Sequence, residues 1–248
     1  MDEHGPARVA SDGAGGTPGG VGTVLVTGGS SGLGAAVVQA VVEAGGQALV
    51  LDRVPPPVAG PAVDFEQVDL ADARAAEAAV ARVVGRAGRL DAVVTAAGTD
   101  ACGSLADVPG PEWDRVVLVN LLGTAAVVRA SLGELVRRSG RIVTVASTLG
   151  LRGVADASAY SASKFGVVGF TQALMAELAG RVGVTLLVPG GMDTHFFDGR
   201  PAQYLPPPDL KLNRPSDVAA TVLFALRQPP GCDIRELVVT PATEGSWP

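Results

Sequence analysis

A doubly wound α/β sandwich, one parallel sheet between two layers of helices, is the fold class predicted by this chain of 248 residues. Three observations predict it. Short runs rich in Val and Leu recur along the chain without polar alternation, as strands buried on both faces do. Longer Ala- and Val-rich stretches separate them, giving the rhythm of repeated strand–helix units. A glycine-rich turn follows the first run, where such folds meet their ligands.

In chain order, the strands are expected at Thr23 to Thr27, Gln47 to Leu51, Glu66 to Val68, Asp91 to Thr95, Arg141 to Ala146, Val184 to Val188 and Glu236 to Thr240. Helices are expected at about 32 to 44, 71 to 85, 112 to 138, 158 to 181 and 215 to 227. Residues 1 to 20 hold six Gly and two Pro with no apolar period, which reads as a flexible leader. The remainder, 21 to 248, reads as a single domain. Residues 190 to 214 carry Pro201, Pro206, Pro207 and Pro208 and no period, the signature of a lid or substrate loop.

Composition narrows the function. Hydrophobic residues make up 47% and charged residues 18%, a globular balance. Lys plus Arg is 19 against 25 for Asp plus Glu, a net charge of −6, which argues against a nucleic-acid partner. The two cysteines, Cys102 and Cys232, form neither a disulfide framework nor a zinc-type cluster, so no metal is expected. No run approaches the roughly 18 apolar residues of a membrane span, and Met1-Asp2-Glu3-His4 is unlike a secretory signal, so a cytoplasmic protein without membrane attachment is expected.

The turn after the first strand reads Thr27-Gly28-Gly29-Ser30-Ser31-Gly32-Leu33-Gly34. Glycines at 28, 32 and 34 allow a sharp bend and close backbone approach, and the helix start offers unpaired N–H groups to a pyrophosphate. The spacing Gly-x-x-x-Gly-x-Gly differs from the common Gly-x-Gly-x-x-Gly dinucleotide fingerprint, and no Gly-Lys-Ser/Thr follows. Eighteen residues after Gly34, Asp52 ends the second strand, where a carboxylate accepts from ribose hydroxyls and repels a 2′-phosphate. NAD is favoured over NADP on this ground, with Arg53 next door as the phosphate partner of the alternative.

The helix near Ser158 carries Tyr160-Ser161-Ala162-Ser163-Lys164, placing a phenol and an ammonium four residues apart on one face. A cation so placed is expected to lower the phenol's pKa from about 10 and make Tyr160 a proton donor or acceptor. Thirteen residues earlier, Ser147 follows the fifth strand at the carboxyl edge, where its hydroxyl can hold a substrate oxygen.

Together these residues resemble the short-chain dehydrogenase/reductase family, over nearly the whole chain from Thr23 to about Thr240. The resemblance implies a Rossmann fold with strand order 3-2-1-4-5-6-7 and hydride transfer between a nicotinamide and a secondary alcohol or ketone. It also implies that Asn120, in Val119-Asn120-Leu121, kinks its helix and holds a water in a proton relay reaching Lys164. Asp69-Leu70 matches the adenine-contacting segment, and Pro189-Gly190 with Thr194 the nicotinamide-lining stretch. Where the family has Asn-Asn-Ala-Gly, this chain has Thr95-Ala96-Ala97-Gly98, which keeps backbone contacts to the cofactor but puts strand-anchoring bonds in doubt. Tyr160 would move the substrate proton, Ser147 would orient the substrate oxygen, and Lys164 would grip the nicotinamide ribose.

Leu149, Arg152, Met192, His195 and Phe196 are the expected substrate neighbours, by position. Trp113 is expected to pack a helix start, and Trp247 either docks on a subunit or belongs to a frayed end. Family members pair through the helices matching 112 to 138 and 158 to 181, implying a homo-tetramer or dimer. The resulting expectation is an NAD-dependent ketone reductase of a specialised metabolite. The alternatives are a dehydrogenase of a small hydroxy acid or sugar-like alcohol, and a dinucleotide sensor without chemistry.

Overall fold

The computed structural model describes residues 20 to 245, so most of the expected leader and Trp247 lie outside the described residues. Seven parallel strands form one sheet in the order β3-β2-β1-β4-β5-β6-β7. They are β1 (Thr23–Thr27), β2 (Gln47–Asp52), β3 (Val63–Gln67), β4 (Ala92–Thr95), β5 (Arg141–Val145), β6 (Gly183–Pro189) and β7 (Glu236–Val239).

The helices are α1 (Gly32–Glu43), α2 (Ala73–Ala87), α3 (Gly110–Val117), α4 (Thr124–Arg138), α5 (Ser158–Glu177) and α6 (Pro215–Leu226). Side chains alternate across each strand, so neighbours serve opposite layers. Leu25, Leu49, Leu51, Val93 and Ile142 pack with α2, α4 and the end of α5. Val24, Val26, Val50, Val94, Val143 and Val145 pack with α1 and α6. Both faces are buried, which is why the strands lack polar alternation.

Three elements differ from expectation. The third strand is Val63–Gln67 rather than 66 to 68. At the sheet edge its apolar signal is diluted by Asp64 and Glu66, whose carboxylates meet arginines of α2: Arg86 on Asp64, and Arg82 and Arg86 on Glu66 at 2.7 Å each. The second helix starts later because Asp72 caps it, accepting from the N–H groups of Arg74 and Ala75. The helix expected over 112 to 138 is broken by a π-turn, Leu118–Gly123, with Asn120 inside it.

The stretch Gly110–Arg138 is more apolar than the expectation of no spanning-length run allowed. It contains a window with mean hydropathy 1.7, long and apolar enough to cross a membrane by length and composition. Half of that window is buried inside the protein, against the same core as α2 and β4. Trp113 links this stretch to the start of α5, donating from Nε1 to Ser158 Oγ at 3.1 Å.

The 190–214 loop is shaped by two 3-10 turns, His195–Phe197 and Ala202–Tyr204. Its neck is closed where the Asp193 N–H donates to the Asn213 carbonyl at 2.9 Å and the Asn213 N–H to the Gly191 carbonyl at 3.1 Å. The loop stands over the carboxyl edge of the sheet and borders a cleft of about 840 Å³.

Candidate active site

The glycine turn forms one end of this cleft. Gly28 has φ +70, and a Cβ there would lie 2.7 Å from the Ala97 Cα. A Cβ on Gly34 would come within 2.0 Å of the Gly28 carbonyl oxygen, so that glycine lets α1 start against the turn. Ser31 is the N-cap of α1, and its side chain makes no capping bond, leaving the first N–H groups of the helix uncapped by it. Ser31, Gly32 and Leu33 line the cleft. This bare helix start suits a pyrophosphate.

Ser30 and Gly34 are not among the lining residues; they shape the turn. The Ser30 hydroxyl donates to the Val54 carbonyl, and its N–H donates to Asp52 Oδ2 at 3.0 Å. Asp52 also accepts the Arg53 N–H at 2.6 Å, so two backbone donors fix its carboxylate at the cleft wall. Asp69 and Leu70 follow on the same wall. Burial raises the Asp69 carboxyl, but the Ala71 N–H and the Arg115 guanidinium at 2.8 Å outweigh it and hold the group below its ordinary value.

Ala96, Ala97 and Gly98 form the floor. In place of the missing amide side chains, Thr27 Oγ1 accepts the Ala97 N–H at 3.2 Å and ties β1 to the end of β4. At the end of the same strand, Thr95 Oγ1 is buried without a hydrogen-bond partner.

Tyr160, Lys164 and Ser147 converge at the centre of the cleft. Ser147, two residues past the end of β5, caps the 3-10 turn Thr148–Gly150, its Oγ accepting the Leu149 N–H at 3.2 Å. It also shares a side-chain hydrogen bond with the Tyr160 hydroxyl. Lys164 lies one helical turn on, with Nζ 5.6 Å from the Tyr160 ring centroid. Nζ donates to the Val145 carbonyl at 2.9 Å.

The expected lowering of the phenol's pKa is not what this arrangement produces. Desolvation pushes Tyr160 up to about 12, against the lowering effect of the Ser147 hydrogen bond. The ammonium does not offset it: Lys164 is itself so buried that its pKa falls to about 8. The charge-depleting effect of burial acts on both members of the pair.

Asn120 lies behind this group and does not line the cleft. Its Oδ1 accepts the Thr99 N–H at 2.8 Å, and Nδ2 donates to the Thr99 carbonyl at 2.9 Å and to Ser163 Oγ at 3.0 Å. A Cβ on Gly98 would stand 3.6 Å from Asn120 Oδ1 and 3.7 Å from Lys164 Nζ. The glycine therefore leaves the two polar atoms facing one small space.

Pro189, Gly190 and Thr194 line the opposite bank, with Leu149, Met192 and Phe196. Phe196 stacks at a tilt on Tyr160, ring centroids 5.6 Å apart. His195 borders the cleft but keeps 86% side-chain exposure, paired with Asp198 at 2.8 Å. Arg152 is exposed and lies outside the cleft, because the turn after Ser147 carries it into solvent. Arg152, expected as a substrate neighbour, is therefore not among the residues the fold brings to the cleft.

Sequence reasoning missed Asp100, Arg200 and Glu244, which the fold brings to the cleft from three separate segments. Glu244 Oε2 accepts the Gly191 N–H at 2.8 Å and fills the space a Cβ on Gly190 would need. Nothing in the residues around 244 marks that role. Among the described residues no group of three or more His, Cys, Asp or Glu could hold a metal ion.

Comparison with known proteins gives the same picture. A model of the short chain dehydrogenase family matches residues 22–204. A hydroxy(phenyl)methylsuccinyl-CoA dehydrogenase subunit from Thauera aromatica is 34% identical over 217 residues, covering 81% of this chain and 87% of its own. A putative ketoacyl reductase from Streptomyces coelicolor is 39% identical over 184 residues, covering 68% of this chain and 70% of its own. An alcohol dehydrogenase from Thermococcus sibiricus, solved with 5-hydroxy-NADP, shares the fold with TM-score 0.80 at 23% identity, covering 90% of this chain and 97% of its own. With its sheet order, glycine turn and Ser-Tyr-Lys cleft, the chain belongs to the short-chain dehydrogenase/reductase family of NAD(P)-binding oxidoreductases acting on CH–OH or C=O groups.

Proposed function

We propose that the protein is an NAD-dependent ketone reductase acting on a carbonyl of a specialised metabolite. The observation that carries the reading is the meeting of Ser147, Tyr160 and Lys164 at the centre of a cleft that begins at an uncapped helix start. The bound nicotinamide supplies the hydride. The chain's own residues do the rest. Ser147 and Tyr160 hydroxyls hold the substrate oxygen, and the Tyr160 O–H donates the proton that oxygen needs as the carbon is reduced.

With its phenol pushed up to about 12, Tyr160 is protonated at neutral pH and can serve as the proton donor. Lys164 beside it holds the nicotinamide ribose, and the buried Asn120–Thr99–Ser163 bonds fix the floor behind both. Phe196, Leu149 and Met192 exclude water from the reacting carbon. Gly28, Ser31, Gly32 and Leu33 take the pyrophosphate, Asp69 and Leu70 border the adenine, and Pro189, Gly190 and Thr194 border the nicotinamide.

NAD is favoured over NADP because Asp52, fixed by two backbone donors, would repel a 2′-phosphate. The likeness to a putative ketoacyl reductase supports a ketone substrate. The domain spans 21 to 248, and a second copy would cover the exposed Leu118, Leu122 and Phe165 on the helices that family members pair through.

The test is Tyr160→Phe assayed for NADH consumption over a ketone panel, with NADH binding measured in parallel. Turnover is expected to fall by about 10²- to 10⁴-fold with binding kept. Unchanged turnover would remove the assignment. A wild-type preference for NADPH would overturn the cofactor choice.

A further inference from the structure

The cleft holds a charged pair outside the Ser147–Tyr160–Lys164 group. Arg200, from the 190–214 loop, faces Asp100, from the segment after β4, with Nη2 2.9 Å from Oδ2. The two side chains keep only 15% and 9% exposure. The Arg200 guanidinium lies over the rings of both Phe196 and Phe197, 4.6 and 4.7 Å from their centroids. Phe196 in turn abuts Tyr160. Loop cation, aromatic floor and reacting phenol form one continuous wall.

The pair is electrically balanced but not saturated. Nη2 is buried without a hydrogen-bond partner, because Asp100 Oδ2 sits close to it yet off its N–H directions. Asp100 meanwhile accepts the Ala101 N–H at 2.7 Å and the Cys102 thiol at 3.2 Å, which hold its carboxylate in place. A buried donor lacking an acceptor is costly, and because Arg200 lines the cleft, a small turn of its guanidinium toward a bound oxygen would relieve that cost. The charge of that oxygen matters. Asp100 already balances the guanidinium, so a carboxylate entering here would add an unpaired anion in a dry site, whereas a carbonyl or hydroxyl would add none.

We propose that Arg200 is a specificity-determining residue that donates a hydrogen bond to a second, uncharged oxygen of the substrate, away from the reacting carbonyl, while Asp100 selects against carboxylates. The substrate class is then a ketone carrying a further neutral carbonyl or hydroxyl. This deepens the ketone-reductase reading and rests on it.

The experiment measures calorimetric binding of aryl ketones to the full chain with NADH present. The probes are butyrophenone, benzoylacetone, benzoylacetate and their longer homologues, and turnover is followed separately. Wild type is expected to bind the best diketone about tenfold more tightly than its matched monoketone. Arg200→Met should erase that difference, with diketone binding falling about tenfold further than monoketone binding. Arg200→Lys, which keeps a cation and a donor, should restore part of it. Asp100→Asn should raise keto-acid affinity relative to the diketone by about tenfold, because the guanidinium is no longer balanced.

Three results would overturn the assignment. They are no diketone preference in wild type, a parallel loss for every probe in Arg200→Met, or an unchanged acid-to-diketone ratio in Asp100→Asn. If Arg200→Met does not fold, the Lys and Asn variants decide. Ratios as expected without any turnover would count against the reductase reading alone.

Discussion

Asn120 clamps Thr99 at both ends, its Oδ1 accepting the Thr99 N–H at 2.8 Å while Nδ2 donates to the Thr99 carbonyl at 2.9 Å. The π-turn Leu118–Gly123 contains this side chain, and Thr99 follows the strand end whose glycine borders Lys164. Asn120→Leu removes the clamp and strands buried polar groups, so stability is expected to fall by about 1–3 kcal/mol. Urea unfolding reads this directly, and an unchanged midpoint would show that the clamp contributes nothing.

Lys164 should make the protein less stable than it need be at neutral pH. Its pKa falls from 10.5 to about 8 through burial. Below pH 8 the lysine is charged both folded and unfolded, and the full cost of burying that charge is present. Between the two values the folded state releases its proton first, so stability rises with pH. Lys164→Met, assayed without added nucleotide, is expected to gain about 1–3 kcal/mol at pH 7, partly offset by the stranded Val145 carbonyl. The gain should shrink by pH 10; a constant gain would refute the titration.

Thr95 offers a stabilising change by the same logic without charge. Its hydroxyl is buried and unpartnered at the end of β4. Thr95→Val keeps the shape and removes the orphan, so a gain of about 1 kcal/mol is expected in thermal unfolding. A loss would mean that the hydroxyl has an acceptor.

Two glycines should respond oppositely to alanine. Gly28 combines φ +70 with a blocked Cβ position, so Gly28→Ala is expected to cost about 1–3 kcal/mol and to weaken nucleotide binding. Gly85, on α2 with nothing within 4 Å of its Cβ position, should gain about 0.5–1 kcal/mol on the same change. Differential scanning calorimetry on the pair distinguishes a glycine required by the turn from one that is not.

The sequence carried most of the fold because burial on both faces of the sheet leaves an unmistakable pattern, as in Val24-Leu25-Val26, whose members serve alternate layers. It carried less at the edge, where Asp64 and Glu66 of β3 are stabilised by arginines sixteen or more positions away. The glycine turn and the Tyr160–Lys164 spacing were legible because each depends on a single segment. The phenol's raised pKa was not, since spacing shows which charges are near and says nothing of how much water the fold removes. Asp100, Arg200 and Glu244 were invisible for a related reason: each acquires its role only from a partner brought in by tertiary structure.

Glu244 has a temporal implication. The bank that borders Gly190 and Gly191 depends on a carboxylate more than fifty positions downstream, beyond β7, the outer strand beside β6. During synthesis on the ribosome, the glycine turn, β1 and β2 emerge long before that carboxylate does. A nascent chain can therefore assemble the phosphate end of its cleft early, but the far wall is finished only after residue 244 clears the exit tunnel.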